Sequence, residues 1–273
     1  MSGPGIPVLQ GREDVKDYHH IRVERAASGL TRVTFARPPA NALNSEVIDD
    51  VQRCAEELTA DPPRVVVLAS AAPMFMAGAD LTMVNAGWDA LRETIGRFQR
   101  AVNTWERVPC PTIASINGHA LGAGCEISLA CDFRIMARGK ARIGLPEVRR
   151  GLIAAGGGTQ RTVRLLGRTH ALNLALRGLM IDADRAEQIG LITQAVDAGE
   201  LEPATQALAD ELLSLPTLTM AAIKRCINEG GDLDLAGGLA VEQREMSALG
   251  ATEDTREGVR AFVEKREPHF VGR

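Results

Sequence analysis

A glycine-rich stretch near the middle of the chain carries the strongest chemical pattern. The apolar run Thr112–Ser115 predicts a buried strand end, and the stretch Ile116–Glu126 that follows contains glycines at positions 118, 122 and 124. Those glycines permit a sharp turn into a short apolar helix, so several backbone N–H groups and the helix dipole point at one spot. Such a spot can hold an oxyanion, and Glu126 lies in the first helical turn beside it.

Two further segments combine small backbone-exposing residues with a carboxylate. The run Ala77–Asp80 belongs to a strand-to-loop transition, and Leu145–Glu147 leads into a loop with glycines between positions 151 and 158. Carboxylates placed beside an oxyanion site can transfer protons to and from a bound substrate. The sequence therefore indicates one site built from three separated segments, of which Ile116–Glu126 is the centre.

The elements around these segments indicate an α/β protein. Alternating polar and apolar residues predict a β-hairpin over His20–Ala27 and Leu30–Ala36. The unbroken apolar run Val65–Ala69 predicts a strand buried on both faces, as in parallel sheets. Apolar periodicity predicts helices over 46–59 and 88–107.

The change from alternating strands and helices to helices alone, near residue 168, sets the expected domain organisation. Repeated right-handed crossovers would stack the strands into a solenoid-like core. We expect a flexible N-terminal tail over 1–18, an α/β core over 19–200 and a C-terminal helical region over 201–273. Around the boundary, helices are expected over 159–166, 169–178, 183–189 and 200–214.

The composition excludes several classes of function. The chain has 273 residues, of which 45% are hydrophobic and 24% charged, as is typical of a globular protein with one large core. A net charge of −4 and an aromatic content of 3% offer no basic field or stacking surface for nucleic acid. No apolar run approaches the roughly 18 residues of a membrane span. Five cysteines without a C-x-x-C pair argue against disulfides and predict a cytoplasmic protein.

The sequence also lacks the signatures of several catalytic classes. There is no H-E-x-x-H or G-x-S-x-G motif, and no Lys-Ser or Lys-Thr pair follows the glycines at 156–158. The Gly122-x-Gly124 pattern lacks the rest of a dinucleotide fingerprint. These absences argue against a zinc protease, an α/β-hydrolase, a P-loop protein and a dinucleotide-binding enzyme.

Six motifs, in this order along the chain, resemble those of the crotonase superfamily, the enoyl-CoA hydratase/isomerase family. The similarity runs from about residue 20 to the C-terminus. It implies a crotonase-like spiral of ββα units with a C-terminal helical trimerisation region. The motifs are Ala40–Leu43, Met76–Leu81, Asn117–Glu126, Cys131–Asp132, Gly144–Glu147 and Gly157–Arg161.

The resemblance implies an acyl-CoA thioester as substrate. In this family two backbone N–H groups grip the thioester oxygen, and those positions fall on Ala79 and Ala123 here. The second position is usually glycine, so Ala123 departs from the family pattern and its methyl group could narrow the pocket. The resemblance also implies that coenzyme A is part of the substrate and that the reaction needs no metal ion, redox cofactor or other separate cofactor.

Both glutamates of the family's hydratases are present. By resemblance, Glu126 activates a water molecule and Glu147 supplies the proton at Cα, which gives syn hydration of a trans-2-enoyl-CoA to a 3-hydroxyacyl-CoA. Two carboxylates close together in a partly apolar pocket are expected to titrate as a coupled pair, with one pKa raised.

The resemblance further implies a set of substrate and CoA contacts. Phe262 and Lys265 match an acyl-pocket aromatic residue and a CoA phosphate contact that reach a neighbouring subunit's site, so a homotrimer or a dimer of trimers is expected. The remaining expected contacts are Ala40, Ala42, Leu43, Ala77, Gly78, Asp80, Leu81, Leu121, Gly122 and Pro146.

Other interpretations remain open for the same residues. Glu126 and Glu147 could each be an ordinary acidic residue in the first turn of a helix, and Asp80 could be a structural turn residue. His119 beside a glycine could have a packing role. The same site could instead support a double-bond isomerase, a decarboxylase or a thioester hydrolase, and a non-catalytic or RNA-binding member is the alternative of a different class.

Overall fold

A computed structural model of the protein describes residues 12–80, 83, 85 and 87–273. That part of the chain holds one sheet of seven strands and a second sheet of three. The large sheet contains, in spatial order, β1 (Arg12–Asp17), β2 (Ile21–Ala26), β3 (Leu30–Phe35), β4 (Val65–Ser70), β5 (Thr112–Ile116), β7 (Phe133–Ala137) and β10 (Gln194–Val196). The small sheet contains β6 (Ala120–Leu121), β8 (Ile143–Gly144) and β9 (Met180–Ile181).

The large sheet changes from antiparallel to parallel pairing at β3. Strands β1, β2 and β3 pair antiparallel, whereas β3, β4, β5, β7 and β10 pair parallel to their neighbours. The central strand β4 is buried on both faces: Val66 and Leu68 pack in one core, and Val65 and Val67 pack in the other. The hairpin at β2 and β3 and the two-sided burial of β4 confirm what the apolar patterns predicted.

The N-terminal prediction was wrong for residues 12–17. This segment is not part of a loose tail but forms β1 at the edge of the sheet, with Lys16 opposite Val23 in the register with β2. Lys16 Nζ and Tyr18 Oη donate to the carboxylate of Glu57 at 2.6 and 2.8 Å, which ties the strand to the helix beneath. A charged edge strand has no apolar alternation to reveal it, and its charges protect the sheet edge. Residues 1–11 lie outside the described part of the chain.

Helices cover both faces of the large sheet. On one face α1 packs against α2, and on the other α6 packs against β4, β5 and β7. The helices of the described chain are α1 (Ser45–Ala60), α2 (Trp88–Glu106), α3 (Ala123–Leu129), α4 (Gly158–Arg177), α5 (Ala183–Gln188), α6 (Leu201–Leu213), α7 (Thr217–Gly230), α8 (Leu235–Leu249) and α9 (Glu253–Glu264). Two 3₁₀ turns lie at Glu147–Arg150 and Ala198–Glu200.

Helix α6 is part of the core, so the core extends further along the chain than the sequence predicted. Its residues Leu201, Ala209 and Leu212 belong to the second core of the large sheet, and Thr205 Oγ1 lies 3.0 Å from Ser115 Oγ of β5. The core therefore continues past residue 200, and the expected boundary between 200 and 201 is wrong. An amphipathic helix on a sheet and one in a bundle have the same periodicity, so the sequence could not distinguish them.

Helix α4 joins two helices that the sequence separated. The stretches 159–166 and 169–178 lie in one element, but Gly167 inside it has φ 73° and ψ 170°, which is not helical. The expected break is therefore present as a kink at Gly167.

The small sheet and two isolated bridges bring distant segments together. Strand β6 pairs parallel with β8, while Leu43 bridges to Ala79 and Met76 bridges to Ala120. Four stretches of chain thus lie side by side at one edge of the core, and α3 starts directly after β6. This edge contains the three segments that the sequence selected. Among the described helices, none has the length and hydropathy that a bilayer crossing requires.

Candidate active site

The Ala79 N–H is a free backbone donor. Leu43 N donates to Gly78 O at 2.8 Å, and Asp80 N donates to Leu43 O at 2.8 Å. Because these two bonds use the groups on either side of Ala79, its own N–H points away from Leu43. In the described part of the chain this N–H has no hydrogen-bond acceptor, so it is available to a ligand.

The Ala123 N–H is a second donor on the neighbouring segment. Ala123 is the first residue of α3, where N–H groups have no acceptor within the helix. Gly122 before it has φ 55° and donates to Gly144 O at 3.0 Å, which fixes the start of the helix. A β-carbon at Gly122 would lie 3.7 Å from Gly78 Cα, so the two donor-bearing segments are in contact. Ala79 and Ala123 thus lie on adjoining backbone, as an oxyanion site requires.

Glu126 lies one helical turn beyond this contact and is 4% exposed. Its Oε1 accepts a hydrogen bond from Gly158 N at 2.9 Å. Burial raises the pKa of Glu126 to about 7, and the nearby Glu147 carboxylate adds to the increase. Hydrogen bonds from the backbone of Gly158 and Gly156 act in the opposite direction. A carboxyl group with a pKa near neutrality can exchange protons readily at physiological pH.

Glu147 begins the 3₁₀ turn that follows the buried Pro146. Its side chain is half-buried, and Oε2 is buried with no hydrogen-bond partner in the described residues. Burial raises the pKa of Glu147, and the charge of Arg150 opposes that rise. Oε1 lies against Gly122, where an added β-carbon would be only 2.5 Å away. The carboxylate therefore adjoins the backbone that leads to the Ala123 N–H.

The structure brings both glutamates and both donor positions to one place. Glu126 and Glu147 interact electrostatically, although 21 residues separate them in the sequence. Glu147 contacts the residue before one donor, and Glu126 follows that donor by three residues. This arrangement can stabilise a negative charge on an oxygen atom and move protons at the adjacent atoms.

Asp80 has a structural partner. Arg37 Nη2 donates to Asp80 Oδ2 at 2.8 Å, and Arg37 Nη1 donates to Ala42 O at 2.9 Å. Arg37 therefore braces the loop before α1 against the donor segment. His119 also has a local role, since its Nδ1 accepts from Arg142 N at 3.1 Å.

Asn41 anchors the same loop, and sequence analysis missed it. Its backbone has φ 51°, and its buried side chain donates to Ser70 Oγ at 2.7 Å and to Phe75 O at 3.0 Å. Arg37 N donates to Asn41 Oδ1 at 2.9 Å. An asparagine after two prolines is a detectable signal, because Asn tolerates the left-handed region better than most residues.

The other expected contacts are distributed over the chain. Phe262 on α9 is 86% exposed, and Lys265 at its end is exposed too, so neither is enclosed by the described residues of its own chain. Leu81 lies outside the described residues. Ala77 is exposed and Leu121 is half-buried on the bridging segments. In the loop that Asn41 anchors, Ala40 and Ala42 are half-buried, and Leu43 is buried.

Comparison with known proteins places this geometry among enzymes. A family model described as "Enoyl-CoA hydratase/isomerase" matches residues 25–273. A crotonyl-CoA hydratase of Syntrophomonas wolfei is 35% identical over 94% of this chain and 99% of that protein. An enoyl-CoA isomerase/hydratase of Mycosarcoma maydis is 35% identical over 90% and 94%.

A solved structure shows the same fold. The crystal structure of an enoyl-CoA hydratase from Bacillus anthracis superposes with a TM-score of 0.86. It is 33% identical, and the match covers 97% of this chain and 100% of that one. The expected crotonase-like α/β fold with C-terminal helices is therefore confirmed.

Proposed function

The chain belongs to the enoyl-CoA hydratase/isomerase family, and from that premise we propose that it is an enoyl-CoA hydratase. It adds water across the Cα=Cβ bond of a trans-2-enoyl-CoA and gives a 3-hydroxyacyl-CoA. The observation that carries the proposal is the pair of carboxylates, Glu126 and Glu147, beside two backbone N–H groups that have no acceptor in the described part of the chain. An enzyme that only polarised a thioester would need the donors but not two carboxylates beside them.

The donors act on the thioester oxygen. In the proposed mechanism Ala79 N–H and Ala123 N–H donate to that oxygen, whose negative charge grows as water attacks Cβ. Both groups belong to fixed backbone, so they need no reorganisation during the reaction. A donor of this kind typically increases the reaction rate by a factor of about 10²–10³.

The glutamates divide the proton transfers. Glu126 in its ionised form takes a proton from water as the oxygen bonds to Cβ. Glu147 in its protonated form gives a proton to Cα as the enolate collapses to the thioester. The raised pKa of Glu147 favours its protonated, proton-donating form. The pKa of Glu126, about 7, leaves part of that carboxyl group ionised near neutral pH, as its role as the base requires. A proton then passes from Glu126 to Glu147, by way of water, to restore the starting state.

The substrate's nucleotide is proposed to lie along the braced loop. This loop is hydrogen-bonded to the donor segment, since Ala77 N donates to Ala40 O at 3.0 Å and Leu43 N donates to Gly78 O at 2.8 Å. The Arg37 brace, which holds Ala42 O and Asp80, fixes both segments. The acyl chain enters between Leu121 and Pro146. The reaction as written uses only water and the thioester, so it requires no metal and no cofactor besides the CoA of the substrate.

The C-terminal helices are proposed to form a homotrimer or a dimer of trimers. Large apolar side chains stand exposed along α7, α8 and α9, which is unusual for a monomer. A neighbouring copy would cover them and receive Phe262 and Lys265 into its site. The most exposed are Ile227 (67%), Leu235 (79%), Met246 (67%), Phe262 (86%) and Val263 (74%).

Oligomeric state tests this assembly. We expect light scattering after gel filtration to give three or six times the 29.2 kDa chain mass. Ile227→Arg together with Met246→Arg places charges in the contact and is expected to lower the mass. Val15→Arg, on an exposed edge strand, is the matched control and should leave the mass unchanged. A wild-type mass of one chain would overturn the proposed assembly.

An isomerase is the second candidate, because one of the relatives is named an isomerase/hydratase. A single carboxylate such as Glu147 could move a proton between Cα and Cγ of an enoyl thioester without adding water. Oε2 of Glu147, which is buried and has no hydrogen-bond partner among the described residues, is compatible with that role.

Incubation of the purified protein with crotonyl-CoA and, separately, with a 3-enoyl-CoA tests both candidates. Hydration predicts loss of the conjugated enoyl-thioester absorbance and a product heavier by one water molecule. Isomerisation predicts a gain of that absorbance from the 3-enoyl substrate without a change of mass. Release of free CoA would point to a hydrolase, and release of carbon dioxide from an added 2-carboxyacyl-CoA would point to a decarboxylase. No turnover together with RNA binding would remove the enzyme hypothesis. Crotonyl-N-acetylcysteamine, which lacks the nucleotide, should react much more slowly if the nucleotide is bound.

A further inference from the structure

Arg161 fastens the glycine loop before α4 to helix α2. Its guanidinium donates from Nε and Nη2 to the two carboxylate oxygens of Glu106 at 2.8 and 2.7 Å, and Nη2 also donates to Asn103 Oδ1 at 2.8 Å. Its Nη1 lies 3.5 Å from Gly156 O, and a β-carbon at Gly157 would be only 2.0 Å from that nitrogen. The guanidinium therefore packs directly against the loop backbone.

The same loop contacts the carboxylate of Glu126. Gly158 N donates to Oε1 at 2.9 Å. A β-carbon at Gly156 would lie 2.6 Å from Oε2 and 2.4 Å from the Phe98 ring, so the loop backbone fits closely between the carboxylate and α2. A small displacement of the loop would change the hydrogen bonds that Glu126 accepts.

Helix α2 presents the anchors for this loop on one face. Gln99 Nε2 donates to Ala155 O, and Asn103 and Glu106 hold Arg161. Positions 99, 103 and 106 are four and three residues apart, so they lie on the same side of a helix. The C-terminal half of α2 thus holds the loop directly at Ala155 and indirectly through Arg161.

We propose that Arg161 is a positioning residue: anchored by Glu106 and Asn103, it holds the loop over 156–158 so that Glu126 stays in its ionised, water-activating form. This inference rests on the proposed function only for the role of Glu126 as the base. Arg161 itself touches neither the substrate nor the reacting atoms. It acts through the loop, and its own positive charge adds to the effect.

The charges that face Glu126 give the sign of the expected change. The Glu147 carboxylate raises the pKa of Glu126, and Arg161 lowers it together with the backbone of Gly158 and Gly156. The neighbouring Cys125 thiol has a raised pKa and stays neutral. If the loop is released, the carboxylate loses hydrogen bonds and its pKa rises further. Activity that needs ionised Glu126 then starts at a higher pH.

Two variants separate the loop from the charge. Arg161→Lys keeps the positive charge but loses the two-pronged pair with Glu106. Glu106→Met leaves Arg161 in place with an uncompensated charge, which by electrostatics alone would lower the pKa of Glu126. Arg164→Lys is the matched control, because Arg164 lies on the same helix and pairs with the exposed Asp232 at 3.0 Å.

The readout is an infrared pH titration of the protonated carboxyl band of Glu126. The band is assigned by its absence in Glu126→Gln, and the measurement requires no turnover. We expect both Arg161→Lys and Glu106→Met to move the titration up by about one pH unit, and Arg164→Lys to leave it unchanged. The rising limb of kcat against pH for crotonyl-CoA hydration should move by the same amount.

The possible results of these titrations either support or overturn the positioning role of Arg161. An unchanged titration in Arg161→Lys, or a downward shift in Glu106→Met, overturns the positioning role. If Arg161→Lys does not fold, Glu106→Met alone decides by the sign of its shift. An upward shift without any hydration of enoyl-CoA would support the positioning role and refute the proposed reaction. A loss of kcat at all pH values with an unshifted limb would reveal a merely structural role.

Discussion

Glu126→Gln and Glu147→Gln are each expected to lower kcat for crotonyl-CoA hydration by about 10³-fold or more, because a positioned acid or base contributes roughly 10²–10⁴ in rate. Each substitution keeps the size of the side chain and removes its ability to exchange a proton. In the Glu126→Gln variant the side-chain amide would still present an oxygen to Gly158 N–H, which keeps one of the two backbone contacts of the carboxylate. The measurement is kcat and KM from the loss of enoyl-thioester absorbance, with the thermal midpoint recorded for each variant.

A glutamate outside the site, Glu57, provides the control for these two variants. Glu57→Gln changes a glutamate that is bonded to Lys16 and Tyr18 at the edge strand, and its activity should equal the wild type. Loss in both site variants supports the division of roles between base and acid. Full hydration activity in Glu126→Gln, with loss only in Glu147→Gln, would contradict that division and assign both proton transfers of the hydration to Glu147.

Local patterns predicted much of the framework that holds these residues. The apolar run over β4 indicated its two-sided burial, and the glycine turn before a short helix indicated backbone N–H groups directed at one spot. The family resemblance assigned one of those N–H groups to Ala123. These features depend on neighbours in the sequence, which periodicity and glycine placement report directly. The strand β1 was missed because its residues are mainly charged and show no apolar period.

The remaining features depend on contacts between distant residues. Gly158 N binds Glu126 across 32 positions, and Arg161 reaches Glu106 across 55. Sequence periodicity does not predict which carboxylate a loop N–H will bind, or which helix an arginine side chain will contact. The family resemblance supplied the meeting of Glu126 with Glu147, but it left the loop that positions Glu126 undescribed. Three-dimensional contacts were needed to find Arg161 and Asn41.

Gly122→Ala is expected to lower kcat by about 10²-fold or more, since a displacement of about 1 Å in a catalytic group can cost that much. The new β-carbon would lie 2.5 Å from Glu147 Oε1, so the carboxylate must swing away from its place beside the Ala123 N–H. The φ of 55° with ψ of −117° also suits glycine alone, and alanine there should cost about 1–3 kcal/mol of stability.

A matched glycine separates these two effects. Gly139 has φ 122°, and a β-carbon there would meet no atom within 4 Å. Gly139→Ala should therefore show a similar fall in the free energy of unfolding but retain wild-type kcat. If both variants lose activity in proportion to stability, the contact between Gly122 and Glu147 has no catalytic importance. If only Gly122→Ala loses kcat, the close approach of this backbone to the carboxylate is what sets the acid in place.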